Sequence, residues 1–163
     1  MILFNDFNTS VRKALDEIDP DWESYKGLII CGTHTPRPRD VEIEITQIEQ
    51  ARKDKIPVLG ICFGLQMMAV EYARNDLGIK DATSEEVSDT GTFVVVKLSE
   101  LNVGLKDGES YWNNYKVKED ILEKMAKNLF SPRFVGVQYH PEYQSSKDNP
   151  HPVLVNFINE CQR

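Results

Sequence analysis

The chain has 163 residues, 40% apolar and 28% charged, and carries a formal net charge of −7. That length supports one domain, read here as residues 1–163, with a real core and no comfortable room for a second. The acidic balance excludes nucleic-acid or acidic-membrane partners held by bulk electrostatics, and no apolar run approaches the roughly 20 residues of a membrane span.

Ile2 to Phe4 reads as a short first strand. Asn8, Thr9 and Ser10 are capping candidates for a helix whose apolar positions are Val11, Ala14, Leu15 and Ile18. That helix must stop before Pro20. Leu28 to Cys31 is a buried strand ending at Gly32, and Val41, Ile45, Ile48 and Ala51 mark the next helix, ending near Lys55. Ile56 to Ile61 is a strand, Phe63 to Arg74 a helix and Phe93 to Leu98 a strand. Ile121, Leu122, Met125 and Leu129 suggest another helix. Arg133 to Tyr139 is a strand, Val153 to Cys161 a closing helix, and the polar stretch 78–92 is left unassigned. Alternating strands and helices predict a layered α/β fold with a mostly parallel sheet.

Two segments carry chemistry. Gly60-Ile61-Cys62-Phe63-Gly64-Leu65-Gln66 follows an apolar strand and opens a helix. Glycines on both sides of Cys62 suit the sharp strand-to-helix turn of a nucleophile elbow. Such a turn places the sulfur at a helix N-terminus, whose dipole favours a thiolate, and aims the Phe63 amide at a nascent oxyanion. The bland alternative is a small buried cysteine between two packing glycines.

The second segment is Gln138-Tyr139-His140-Pro141-Glu142. His140 and Glu142, two apart on an extended stretch, face the same way. A carboxylate on one imidazole nitrogen fixes the ring and leaves the other nitrogen for a thiol. The alternative is a surface histidine beside an exposed glutamate. Of the other two histidines, His34 follows the strand ending at Cys31 and has an open role. His151, between Pro150 and Pro152, is expected to be exposed. No cysteine or histidine pair has metal-ligand spacing, so no metal and no cofactor is expected. Cys31 and Cys161 read as packing residues, and Tyr111 and Trp112 either pack or line a pocket.

Gly-Ile-Cys-Phe-Gly-Leu-Gln and Gly-Val-Gln-Tyr-His-Pro-Glu resemble the two hallmark motifs of the class I glutamine amidotransferases. Within that family, residues 51–62, Val70 to Asn75, Leu77 to Ala82 and Pro150-His151-Pro152 are most similar to the glutaminase domain of CTP synthase. The resemblance implies a three-layer, flavodoxin-like fold and a triad in which Cys62 is nucleophile, His140 general base and acid, and Glu142 the residue orienting His140. It implies attack on the side-chain amide of glutamine, release of ammonia and hydrolysis of a thioester. Its oxyanion-hole and substrate-binding positions fall on Phe63, Gly32, Thr33, Gln66, Asn114 and Tyr115. The implied partners are a small-molecule amide and a separate synthetase subunit to receive the ammonia, with no nucleic acid and no membrane. An odd cysteine count and a start (Met1 to Asp6) unlike a signal peptide lead to a cytoplasmic expectation.

Three departures shape expectations about the substrate. Thr33 stands where the family has a second glycine, and a β-branched residue disfavours positive φ, so either the loop takes another path or the oxyanion hole is incomplete. Asn114 stands where an arginine grips the substrate carboxylate, with Lys116 or Arg133 as substitutes. A strand and connection are missing between Leu15 and Leu28. Three readings follow: an amidase for glutamine or a related amide, a pseudoenzyme serving as a binding or regulatory subunit, or a γ-glutamyl hydrolase or cysteine peptidase on the same scaffold.

Overall fold

The structure is a computed structural model that describes residues 9–33 and 40–163, together with the backbone of 2–4. Of the residues singled out above, Asn8 and His34 lie outside the described ones.

Four parallel strands form the main sheet: β1 (Ile2–Phe4), β2 (Gly27–Ile30), β3 (Val58–Ile61) and β7 (Phe134–Val137), adjacent in that order. Their register runs Leu3 to Leu28, Leu28 to Val58 and Val58 to Phe134. β2 and β3 are buried along their whole length, as expected of strands covered on both faces. Successive side chains therefore serve opposite layers. Ile29, Leu59 and Ile61 pack with Cys31 under α1 (Thr9–Ile18) and α5 (Pro152–Cys161). Leu28, Ile30 and Val58 join the larger core beneath α2 (Glu42–Lys53), α3 (Phe63–Asn75) and α4 (Glu119–Asn128). The arrangement is the three-layer, flavodoxin-like α/β fold.

α3 is the central helix. All eleven residues from Phe63 to Ala73 are buried, the polar Gln66 and Glu71 among them, so the helix is covered all round rather than on one face. One side lies on the main sheet, and the remainder is covered by α2, α4 and a second sheet.

That second sheet is the main difference from the sequence reading. It has the order β4 (Ala82–Ser84), β5 (Thr92–Lys106), β6 (Glu109–Val117). β4 falls in the stretch left unassigned. β5 extends well past Leu98, and β6, read above only as a pocket-lining segment, pairs antiparallel with it. Asp107 and Gly108 turn the hairpin with φ of 52° and 84°, between the paired residues Lys106 and Glu109. Two left-handed residues in a two-residue loop are a type I′ signature. Beyond Leu98, β5 is exposed almost throughout and lacks the buried/exposed alternation that marks a strand in sequence.

Candidate active site

β3 passes directly into α3 at Cys62, whose φ of 53° and ψ of −102° lie in a region L-residues rarely adopt. Such a conformation costs on the order of 1–3 kcal/mol and persists only where its surroundings hold it. Here the Cys62 amide donates to the Val137 carbonyl at 2.8 Å, extending the β3–β7 ladder one residue beyond the strand. The turn also needs α3 to come very close to β2. A methyl group on Gly64 would lie 2.0 Å from the Ile30 carbonyl oxygen, so no side chain fits there. Cys62 is consequently the N-cap residue of α3, with its sulfur at the positive end of the helix.

β7 ends beside β3, and the chain then carries Gln138, His140 and Glu142 over the elbow. His140 Nδ1 and Glu142 Oε1 are 2.8 Å apart. Both residues are buried, at 6% and 5% exposure. The second carboxylate oxygen, Oε2, is buried without a hydrogen-bond partner among the described residues. The other side of the imidazole engages the Cys62 thiol. Burial works against a charge on His140, but the hydrogen bonds to Cys62 and Glu142 and their negative charges outweigh it and push the group up to about 10.

Three further contacts fix that ring. The His140 amide donates to the Ser110 carbonyl at 2.7 Å. Tyr143 stacks on the imidazole with centroids 4.8 Å apart and planes 11° from parallel. Gly32 lies beneath it: a Cβ there would sit 3.0 Å from His140 Cε1 and 3.8 Å from Cys62 Cβ.

The sulfur has two more neighbours. Gln138 Nε2 donates to it at 3.5 Å, and the Trp112 carbonyl lies 3.8 Å away. Gln138, two residues before His140, was not singled out from sequence, although the extended spacing that pairs His140 with Glu142 also puts Gln138 on the same side.

A pocket of about 150 Å³ opens over Cys62 and is lined by Gly32, Thr33, Phe63, Gln66, Asn114 and His140, among others. Of the expected substrate-binding positions, only Tyr115 is absent from this wall. Its ring packs on the larger core, and it serves the site through its carbonyl, which accepts from Gln66 Nε2 at 3.3 Å. Gln66 Oε1 is buried and has no hydrogen-bond partner among the described residues. Trp112 lines the pocket while remaining 59% exposed, whereas Tyr111 meets the edge of Tyr139. Glu86, just after β4, is a wall residue that the sequence reading missed. It falls in the unassigned polar stretch, and its own neighbours in sequence carry no signal for it.

Two expectations about the departures change. Neither Gly32 nor Thr33 has positive φ, so the threonine is not strained: the backbone takes a path open to any residue. Neither substitute cation reaches the pocket. Arg133, at the far end of β7, donates to the Glu160 and Lys55 carbonyls, and Lys116 lines a neighbouring groove with Glu119. Among the described residues, no lysine or arginine lines the pocket.

His151 is corrected outright. It is 8% exposed because it caps α5, with Nδ1 accepting from the Val153 amide at 3.2 Å, while Nε2 faces the Glu109 carboxylate at 3.0 Å. Cys31 is fully buried and Cys161 half-buried, and all three cysteines are free thiols. No helix among the described residues is long and apolar enough to cross a membrane.

The family model described as Glutamine amidotransferase class-I matches residues 5–160. The chain is 34% identical over 171 residues to a CTP synthase of Bdellovibrio bacteriovorus, covering 74% of this chain and 32% of that protein. It is 32% identical over 197 residues to a CTP synthase of Thermotoga maritima, covering 89% and 36%. It thus spans about a third of the length of the curated relatives it matches. Among solved structures, the glutaminase domain of Trypanosoma brucei CTPS with bound acivicin superposes with a TM-score of 0.79 at 19% identity, over 99% of this chain and 92% of that one. At that identity the likeness concerns the fold.

Proposed function

The chain belongs to the class I glutamine amidotransferases, and we propose that its 163 residues act as one amidase domain that hydrolyses a small primary carboxamide at Cys62 and releases ammonia. The observation that carries this reading is the placement of Cys62 and His140 on one pocket, with His140 Nδ1 held 2.8 Å from Glu142 Oε1.

The steps follow from the placement of the groups. His140 takes the Cys62 proton as the sulfur attacks the carboxamide carbon, and the developing oxyanion meets the N-terminus of α3 at Phe63 and the backbone at Gly32 and Thr33. The His140 imidazolium gives its proton to the departing nitrogen, and ammonia leaves behind a thioester. Neutral His140 then takes a proton from water, which attacks the thioester carbon. The acid departs as the imidazolium returns its proton to the Cys62 sulfur. Throughout, Glu142 keeps one ring nitrogen occupied and offsets the imidazolium charge.

The wall chemistry bears on the substrate. Gln66 Oε1, buried and unpartnered, is an acceptor for a substrate N–H. Glu86 places a carboxylate on the wall, which suits a cationic group such as an ammonium. Asn114 lines the wall where the resemblance implies an arginine, and a neutral amide there favours a substrate lacking a free α-carboxylate, or glutamine bound weakly. The ammonia would pass to a synthetase. The test is an ammonia-release screen over glutamine, its carboxylate-blocked amide and a panel of primary amides, with Cys62→Ala as control. Release that depends on Cys62 supports the reading. A panel with no release above the control, from protein that alkylates normally at Cys62, favours the alternative of a binding subunit that keeps the triad without turnover.

A further inference from the structure

β6 touches the site three times, although it belongs to the second sheet and not to the main one. Its Ser110 carbonyl accepts the His140 amide, its Trp112 carbonyl faces the Cys62 sulfur, and its Tyr115 carbonyl accepts from Gln66. Beyond the reach of β4 the β5–β6 hairpin has only two strands, and such a pair is marginal on its own. Something must therefore hold its turn end against the α/β body if Ser110 is to stay in place.

The contacts at that turn end converge on one residue. Both oxygens of Glu109, the first residue of β6, face His151 Nε2, at 3.0 and 3.2 Å. His151 is itself fixed from several directions. Its Nδ1 accepts from the Val153 amide, its own amide donates to Ser145 Oγ, and its ring lies against Tyr139 with centroids 5.9 Å apart. Because Nδ1 accepts a hydrogen bond, the ring proton of the neutral tautomer sits on Nε2 and points at Glu109. Beside this pair, Gln144 Nε2 donates to Ser110 Oγ at 3.1 Å. The link therefore runs from the capped N-terminus of α5 through Glu109 to Ser110, one peptide away from the carbonyl that holds His140.

We propose that Glu109 and His151 are a positioning pair: they fix the turn end of β6 on α5 and, through the Ser110 carbonyl, set the place of His140 over Cys62. The proposal rests on the catalytic reading of Cys62 and His140. Neither residue of the pair lines the pocket, so their loss leaves substrate contacts intact and moves His140. Displacing a reacting group by about 1 Å costs on the order of 100-fold, and a relaxed hairpin end is expected to give about a tenth of that, a tenfold loss.

The experiment compares Glu109→Ala, Glu109→Gln and His151→Asn with wild type. Asparagine keeps a side-chain acceptor for the α5 cap but is too short to reach Glu109, so this variant separates the positioning role from the capping role. Glutamine at 109 keeps an acceptor oxygen for Nε2–H. Three readouts are taken: kcat and KM on the best amide, the rate of Cys62 alkylation by iodoacetamide at pH 7.0, and the melting temperature. The expected result is a roughly tenfold fall in kcat and in alkylation rate for Glu109→Ala and His151→Asn, with KM within about threefold of wild type and Glu109→Gln substantially restored. Wild-type kcat and alkylation in Glu109→Ala would overturn the proposal, as would a loss that Glu109→Gln does not relieve or one that scales with lowered melting temperature. Alkylation needs no amide substrate. If wild type releases no ammonia, the proposed function fails while the alkylation series still decides the positioning role.

Discussion

Gly32→Ala isolates the geometry of the base. Gly32 does not use positive φ, so alanine is free of backbone strain there. What changes is the space under His140, where the new Cβ would lie 3.0 Å from Cε1. Carbon atoms sit best about 3.5–4.0 Å apart, so the ring must retreat by roughly 0.5–1 Å. It cannot do so freely, because Glu142 holds Nδ1 at 2.8 Å, Ser110 holds the backbone and Tyr143 covers the opposite face. A misplacement of about 1 Å costs on the order of 100-fold, so the expected loss of kcat is about 10- to 100-fold, equivalent to about 1.4–2.7 kcal/mol of barrier. The melting temperature should fall by only a few degrees. The assay is steady-state ammonia release with thermal melting in parallel. Turnover within twofold of wild type, in a protein that melts normally, would refute the placement of His140 on Gly32.

Other substitutions and conditions probe the remaining elements. Glu142→Gln should cut kcat by on the order of 10³–10⁴, because an amide cannot hold the ring in the same tautomer and charge state; a loss below tenfold in stopped assays would contradict the orienting role. Burial opposes charge on His140, but contacts with Cys62 and Glu142 raise it from 6.5 to about 10. The stability this group contributes is thus fully present below about pH 6.5 and lost as pH rises through about 10. Urea unfolding between pH 6 and 10.5 should show wild type losing its advantage over Glu142→Gln toward the alkaline end, and an advantage that grows with pH would be the wrong sign. Asn114→Arg should lower KM for free glutamine about tenfold or more, the worth of one charge-assisted hydrogen bond at about 1.5–3 kcal/mol, leaving kcat near wild type. An unchanged KM would mean that carboxylate recognition does not involve this position. Gly64→Ala, with its Cβ driven 2.0 Å from the Ile30 carbonyl, should cost about 3 kcal/mol or more or prevent folding, read by melting temperature; a wild-type value would show that α3 can move off β2.

The main sheet and the site's chemical core were legible because local signals and tertiary packing agree there. Val58 to Ile61 is apolar on both faces, the two glycines announce the elbow, and His140 and Glu142 keep their spacing of two on an extended stretch. The hairpin was missed despite a usable signal: Asp107-Gly108 is a strong two-residue turn sequence. The strand before it, β5 beyond Leu98, is so exposed that the usual apolar alternation is missing there. His151 misled because flanking prolines and polar neighbours suggest a solvated loop, whereas Glu109, 42 residues earlier, comes to meet its Nε2. Glu86 reaches the wall through a parallel β4–β5 pairing that local sequence does not encode. Thr33 shows the reverse case, in which a rule about positive φ was sound but the backbone did not need that conformation.

The most direct test is mass spectrometry of the intact chain, quenched during turnover of the best amide, alongside ammonia release by wild type and Cys62→Ala. The expected result is an acyl adduct on Cys62 in wild type, formed as ammonia appears and lost as product acid accumulates, with neither adduct nor ammonia from Cys62→Ala. Equal ammonia release from both proteins, or turnover with the acyl group on another residue, would contradict Cys62 as the nucleophile.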